Sequence, residues 1–111
     1  IKSTETIAKT IEFDEFSKLY NKENTVVIDV RTLGEYNQGH IEKAVHIDIS
    51  SSDFKTKINE LDKSKTYIIY CRTQNRSSAA LNYMKENGFK TLYNLKNAIS
   101  TLTENNFPLI K

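Results

Sequence analysis

Residues 25–30 read TVVIDV and residues 66–71 read TYIIYC, with Asp29 and Arg31 at the end of the first run and Cys71 at the end of the second. Both runs are rich in β-branched and aromatic side chains and lack a clean polar alternation. That pattern belongs to strands of a parallel sheet covered on both faces. Each run is followed by signals for a helix. Thr32 with Glu35 three residues later forms a capping box, and Gly39 is expected to end that helix in a left-handed conformation. After Cys71, the segment RTQNR leads into a helix expected from Ser77, with Ala80, Leu81 and Met84 facing inward and Gly88 as its stop.

The same alternation extends outward. Thr10 to Glu12 is expected as a short first strand, and Asp14 as the cap of a helix carrying Phe16, Leu19 and Tyr20. Ala44 to Ile47 reads as the third strand, and Ser50 to Ser52 as caps of a helix with Phe54, Ile58 and Leu61 on one face. Thr91 to Tyr93 supplies a fifth strand and Ala98 to Leu102 a last short helix. Strands joined through helices must run parallel, so the expected fold is α/β, a central parallel five-stranded sheet with helices on both faces. Residues 1–10 read as an N-terminal extension and 11–111 as one domain. In such folds ligands bind beyond the carboxyl ends of the strands, where Asp29, Arg31 and Cys71 fall.

The chain has 111 residues, the size of one domain, and carries 16 Lys and Arg against 14 Asp and Glu. A net charge of +2 is too small to mark a nucleic-acid or anionic-lipid surface. No apolar run approaches the roughly 18–20 residues of a membrane helix. One cysteine cannot form an internal disulfide, and His40 and His46 lack the spacing of a zinc site, so neither metal nor cofactor is expected. Because the chain starts at Ile1 rather than Met, removal of an upstream tag, signal peptide or domain is expected. The expected location is the cytoplasm, the alternative being an exported or periplasmic protein that has lost an N-terminal segment.

Cys71 can be read as a small buried hydrophobe at a strand end. Its neighbours argue for chemistry instead. A thiolate is the attacking form of cysteine, and cations or a helix N-terminus favour it. Arg72 and Arg76 supply the cations, and the helix near Ser77 supplies free N–H groups. A short loop curling around the sulfur turns backbone amides toward an anion at its centre.

CRTQNRS at residues 71–77 resembles the active-site loop of rhodanese-like sulfurtransferases, and DVRTLGEYNQGHIEKAVHID at residues 29–48 is similar to that family's other signature. The match runs through Asp29, Arg31, Glu35, Tyr36, Gly39, His40, Ile41 and Ala44, and LKNAISTLTENNFPL is similar in spacing to the family's closing segment. The resemblance covers about Ile11 to Pro108. It implies that Cys71 takes sulfane sulfur from a small donor such as thiosulfate as a persulfide, and passes it to cyanide, a small thiol or a protein thiol. It also implies substrate-binding roles for Arg72, Thr73, Gln74, Asn75, Arg76 and Ser77, with Asp29, Arg31 and Glu35 supporting the loop. Arg76 has two open roles, substrate binding or pairing with Asp29 or Glu35. His40 and His46 are expected to be structural, and a monomer is expected.

Three positions depart from the family pattern. Gln74 stands where the loop usually has glycine, so the chain must either hold a left-handed side chain there or shift its backbone. Asn97 and Ala98 replace a glycine pair, and Leu102 replaces a tryptophan, which bears on packing and on the shape of the entrance. Two other functions compete. A cysteine phosphatase or arsenate reductase of similar fold uses five residues between cysteine and arginine, whereas only Arg72 to Asn75 lie between Cys71 and Arg76. A non-enzymatic binding or regulatory module would not need the cysteine.

Overall fold

The two runs that open the sequence argument lie side by side at the centre of a sheet. The computed structural model describes residues 6–111. In chain order it contains β1 (Ile7–Ile11), α1 (Phe13–Leu19), β2 (Thr25–Asp29), α2 (Leu33–Gln38), β3 (Val45–His46), α3 (Phe54–Asn59), β4 (Thr66–Tyr70), α4 (Asn75–Glu86), β5 (Thr91–Leu95) and α5 (Ala98–Glu104). The strand order is β1-β5-β4-β2-β3, and every pairing is parallel. Asp29 is in register with Tyr70, so the ends of β2 and β4 are level, and Arg31 and Cys71 emerge at the same rim.

Alternation along the strands divides the core in two. Ile28, Val30, Tyr67, Ile69, Cys71 and Leu92 face α3 and α4, packing with Phe54, Ile58, Leu81 and Met84. Val27, Ile68, Tyr70 and Leu95 face the other way, against Phe16 of α1 and Ala98 and Leu102 of α5. Both faces are buried, which is why β2 and β4 needed continuous apolar runs. Full burial of a side chain such as Phe16 or Ile68 contributes about 1.5–3 kcal/mol.

The longest helix, α4, buries Ser77, Ala80, Leu81 and Met84 at the three-and-four spacing of one helical face. It ends as expected at Gly88, whose φ of +91° lets the Phe89 N–H turn back to the Met84 carbonyl at 3.2 Å. Asn106, at φ +56°, closes α5 in the same way, with the Phe107 N–H on Leu102 at 2.9 Å. The chain end then clamps α2, since His40 and Ile110 exchange two backbone hydrogen bonds of 2.9 Å.

Several sequence-based boundaries shift. The first strand is Ile7–Ile11 rather than Thr10 to Glu12, so residues 7–10 of the expected extension belong to the sheet through pairing with β5. Residues 1–5 of that extension lie outside the described residues. Neither Asp14 nor Ser50 to Ser52 caps a helix: Glu12 and Asp53 occupy those positions without a side-chain capping bond. The third strand shortens to Val45–His46 at the sheet edge, while β5 and α5 run longer than expected. Gly39 does take a backbone at positive φ, but at φ +150° and ψ +129°, which is not the left-handed helical conformation.

Candidate active site

Cys71 follows β4 on the α4 side of the sheet, and its side chain is 1% exposed. Helix α4 starts at Asn75, two residues before the sequence signal at Ser77, with Gln74 as its N-cap. Its first-turn amides therefore come back under the sulfur. The Ser77 N–H donates to Cys71 Sγ at 3.4 Å, and the Ser77 hydroxyl lies at the same distance.

The loop is shaped by its other neighbour, α5. The Arg72 and Thr73 carbonyls accept from the N–H groups of Ile99 and Ala98, each at 3.2 Å. A trans peptide points its N–H opposite to its C=O, so the N–H groups of Thr73 and Gln74 are directed away from α5. Among the described residues no protein acceptor pairs with the N–H groups of Arg72, Thr73, Gln74, Asn75 or Arg76. Such an array can hold an anion. Gln74 takes the second of its two options: its φ is −154°, so the backbone avoids the left-handed region. Its side-chain oxygen accepts the Asn97 N–H at 3.1 Å, an added tie between loop and helix. Asn97 itself takes a left-handed conformation, at φ +47°, as the N-cap of α5.

The charged residues sort into paired and unpaired. Arg76 is held by Glu35 through two hydrogen bonds of 2.7 and 2.9 Å, so it pairs with Glu35 and not with Asp29. Glu35 also accepts from the backbone and hydroxyl of Thr32, completing the expected capping box. The hydrogen bond from Arg76, aided by Thr32, holds the Glu35 carboxyl down at about 2, and the same bond raises Arg76. Asp29 and Arg31 form a buried ion pair at 2.7 Å, and Arg31 also donates to the Gly39 carbonyl at 2.7 Å. Arg31 thereby ties the end of β2 to the end of α2, and its guanidinium also lies 5.4 Å from the centre of the Tyr70 ring. Burial works to lower the Arg31 pKa, but the hydrogen bond and charge of Asp29 outweigh it and raise it.

Arg72 is exposed and its guanidinium has no partner among the described residues. It lines a depression of about 220 Å³ with Arg31, Glu35, Gln38 and Ile99. Thr73 and Asn75 are exposed as well. His40 and His46 both stack on Tyr36 of α2, with ring centroids 3.7 Å and 4.6 Å from it. Both imidazoles are also tied to backbone carbonyls, of Tyr36 and Arg31 respectively. Among the described residues no group of three or more His, Cys, Asp or Glu is placed to hold a metal ion, and no helix is long and apolar enough to cross a membrane.

One site residue escaped the sequence reading. Asn94 on β5 is 1% exposed and receives a hydrogen bond from the Ser77 hydroxyl. Its signal was an amide inside the apolar strand TLYNL, where a buried polar group needs partners.

A buried cysteine at the rim of a central parallel strand, beneath a loop that leads into a helix N-terminus, marks the fold as an α/β domain of a recognisable class. Residues 12–105 match the rhodanese-like domain, and the chain belongs to that family. It is 40% identical over 90 residues to "Putative sulfurtransferase YtwF" of Bacillus subtilis, covering 81% of this chain and 78% of that protein. It is 31% identical over 96 residues to a tRNA uridine(34) hydroxylase of Pelagibacter ubique, covering 86% of this chain but only 32% of the relative. The chain thus spans about a third of that hydroxylase. Its fold superposes on a rhodanese-related protein of Thermoplasma volcanium with a TM-score of 0.79 at 24% identity, over 92% of this chain and 97% of that one.

Proposed function

We propose that this protein is a sulfurtransferase that carries sulfane sulfur as a persulfide on Cys71. The observation that carries the reading is the sulfur itself: Sγ sits on the Ser77 amide inside a loop whose other amides lack protein acceptors. In the first step the Cys71 thiolate attacks the outer sulfur of a donor such as thiosulfate. A new S–S bond forms, the donor's S–S bond breaks, and sulfite leaves with the electron pair. The persulfide's terminal sulfur bears the negative charge, and the loop amides stabilise it; losing one such preorganised donor costs on the order of 100-fold in rate. Arg72, unpaired at the mouth, attracts the anionic donor. In the second step cyanide or a thiol attacks the terminal sulfur and the Cys71 thiolate leaves. Residues 1–111 hold one cysteine, so a thiol acceptor comes from outside these residues.

Phosphatase chemistry fits less well. An oxyanion would need the loop arginine, and Arg76 already directs one N–H of each terminal nitrogen at Glu35. Thiocyanate formation from thiosulfate and cyanide tests the proposal. The wild type is expected to turn over and Cys71→Ser to be inactive. Equal rates in the two proteins would refute it.

A further inference from the structure

Behind Cys71 lies a buried chain of hydrogen bonds whose direction can be worked out. Asn94 Nδ2 donates to the Gln74 carbonyl at 3.2 Å and to Ser78 Oγ at 2.7 Å. A carbonyl only accepts, so the amide nitrogen is fixed on that side and Oδ1 must face Ser77. An amide oxygen also only accepts. The Ser77 hydroxyl hydrogen is therefore committed to Asn94, and toward Cys71 the hydroxyl can offer only a lone pair. Ser77, Asn94 and Cys71 are all buried to 1% exposure or less, so water does not replace a missing partner.

We infer that Asn94 is a positioning residue that, by turning the Ser77 hydroxyl away from Cys71, favours the thiol and the persulfide over the free thiolate. A thiol satisfies the arrangement fully, donating its S–H to Ser77 Oγ while accepting the Ser77 N–H. Loss of that proton leaves an anionic sulfur facing an oxygen lone pair. If the hydroxyl rotates to the sulfur instead, Asn94 Oδ1 becomes a buried acceptor without a donor. Either response disfavours the thiolate. A persulfide eases the conflict: Sγ has no S–H to donate, but it carries no charge, and the negative terminal sulfur lies farther out among the loop amides. The device thus works against the arginines: it disfavours the anionic sulfur that they stabilise, and favours retention of sulfur until an acceptor arrives. This consequence for loading rests on the sulfurtransferase reading, whereas the hydroxyl's direction does not.

The titration of Cys71 measures it without any sulfur donor. The charged groups around the sulfur are Arg72 and Arg76 from the loop and α4, Glu35 from α2 through Arg76, and the Asp29–Arg31 pair from β2. All remain in the variants. Thiolate absorbance in the ultraviolet is followed against pH, with Cys71→Ala as the tyrosine blank. Asn94→Leu frees the hydroxyl to donate to the thiolate, and the midpoint is expected to fall by about one pH unit, a tenfold change in acidity. Ser77→Ala, which removes only the hydroxyl, is expected to lower the midpoint slightly, and Ser77→Thr to leave it in place. In the Ser77→Ala background, Asn94→Leu is expected to have no effect.

A rise in Ser77→Ala would show that the hydroxyl donates to the sulfur, and would overturn the inference even if Asn94→Leu fails to fold. An unchanged or raised midpoint in folded Asn94→Leu would overturn it too. A protein that shows the expected shifts but never takes up sulfur keeps this assignment and loses the sulfurtransferase reading. One that loads sulfur but shows none of the shifts loses this assignment alone.

Discussion

Replacing Glu35 by Gln isolates the tie between α2 and the cysteine loop. Glutamine keeps an oxygen for Thr32 but loses the charge that grips Arg76 through bonds of 2.7 and 2.9 Å. The carboxyl is lowered from 4.5 to about 2, a difference of about 2.5, and at 1.36 kcal/mol per unit this sets a ceiling near 3.4 kcal/mol. Side-chain exposure of 27% for Glu35 and 36% for Arg76 lets solvent screen the pair, so about 1–2 kcal/mol is the expected loss at pH 7. The sign follows from the depressed folded-state value. The contribution is fully present above about 4.5 and fades as pH falls toward about 2, so at pH 3 more than half of the gap between wild type and Glu35→Gln is gone. Urea unfolding of both proteins at pH 7 and pH 3 measures it, and other acid-sensitive groups cancel in the difference. A gap that is absent at pH 7, or that stays constant or widens at pH 3, refutes the reasoning.

Other positions give sharper contrasts. Arg72→Ala, at an exposed and unpaired side chain, is expected to raise the KM for thiosulfate with little change in melting temperature, whereas Arg76→Ala lowers both activity and melting temperature. Equal melting losses would reject that division. Gln74→Gly removes the bond to the Asn97 amide and frees the backbone, so it is expected to cost about 1–2 kcal/mol in chemical denaturation. A more stable glycine variant would show that the native loop is strained at Gln74. Gly39→Ala places a side chain at φ +150° with its Cβ 3.4 Å from Leu109 Cβ, and a loss of about 1–3 kcal/mol is expected. Thermal unfolding with no loss would contradict the backbone account of that turn.

The sheet was legible because β2 and β4 are buried on both faces, and burial of that kind leaves an unbroken apolar run. The capping box at Thr32 and Glu35 and the stop at Gly88 were legible because each is a local bond between near neighbours. What could not be read depends on distant partners. The edge strand β1 is mostly exposed, so its IAKTI lacks a core signal and is defined by pairing with β5. Cys71, Arg72 and Arg76 stood out by residue type and spacing. The choice of Glu35 as the partner of Arg76 spans 41 residues and emerges only when α2 meets α4. Asn94 is still less visible, since its role lies in which way an amide faces. At Gln74 the sequence offers only the contrast with glycine, which leaves the choice between a left-handed side chain and a shifted backbone open. In the fold its side chain finds a backbone amide on α5.

The central claim is that Cys71 carries sulfur, and intact-mass spectrometry after incubation with thiosulfate tests it most directly. The account predicts a gain of one sulfur atom that cyanide or a small thiol removes, and no gain in Cys71→Ala. Retention of the unmodified mass with thiosulfate and with other sulfane donors, in a folded wild-type protein, would contradict it.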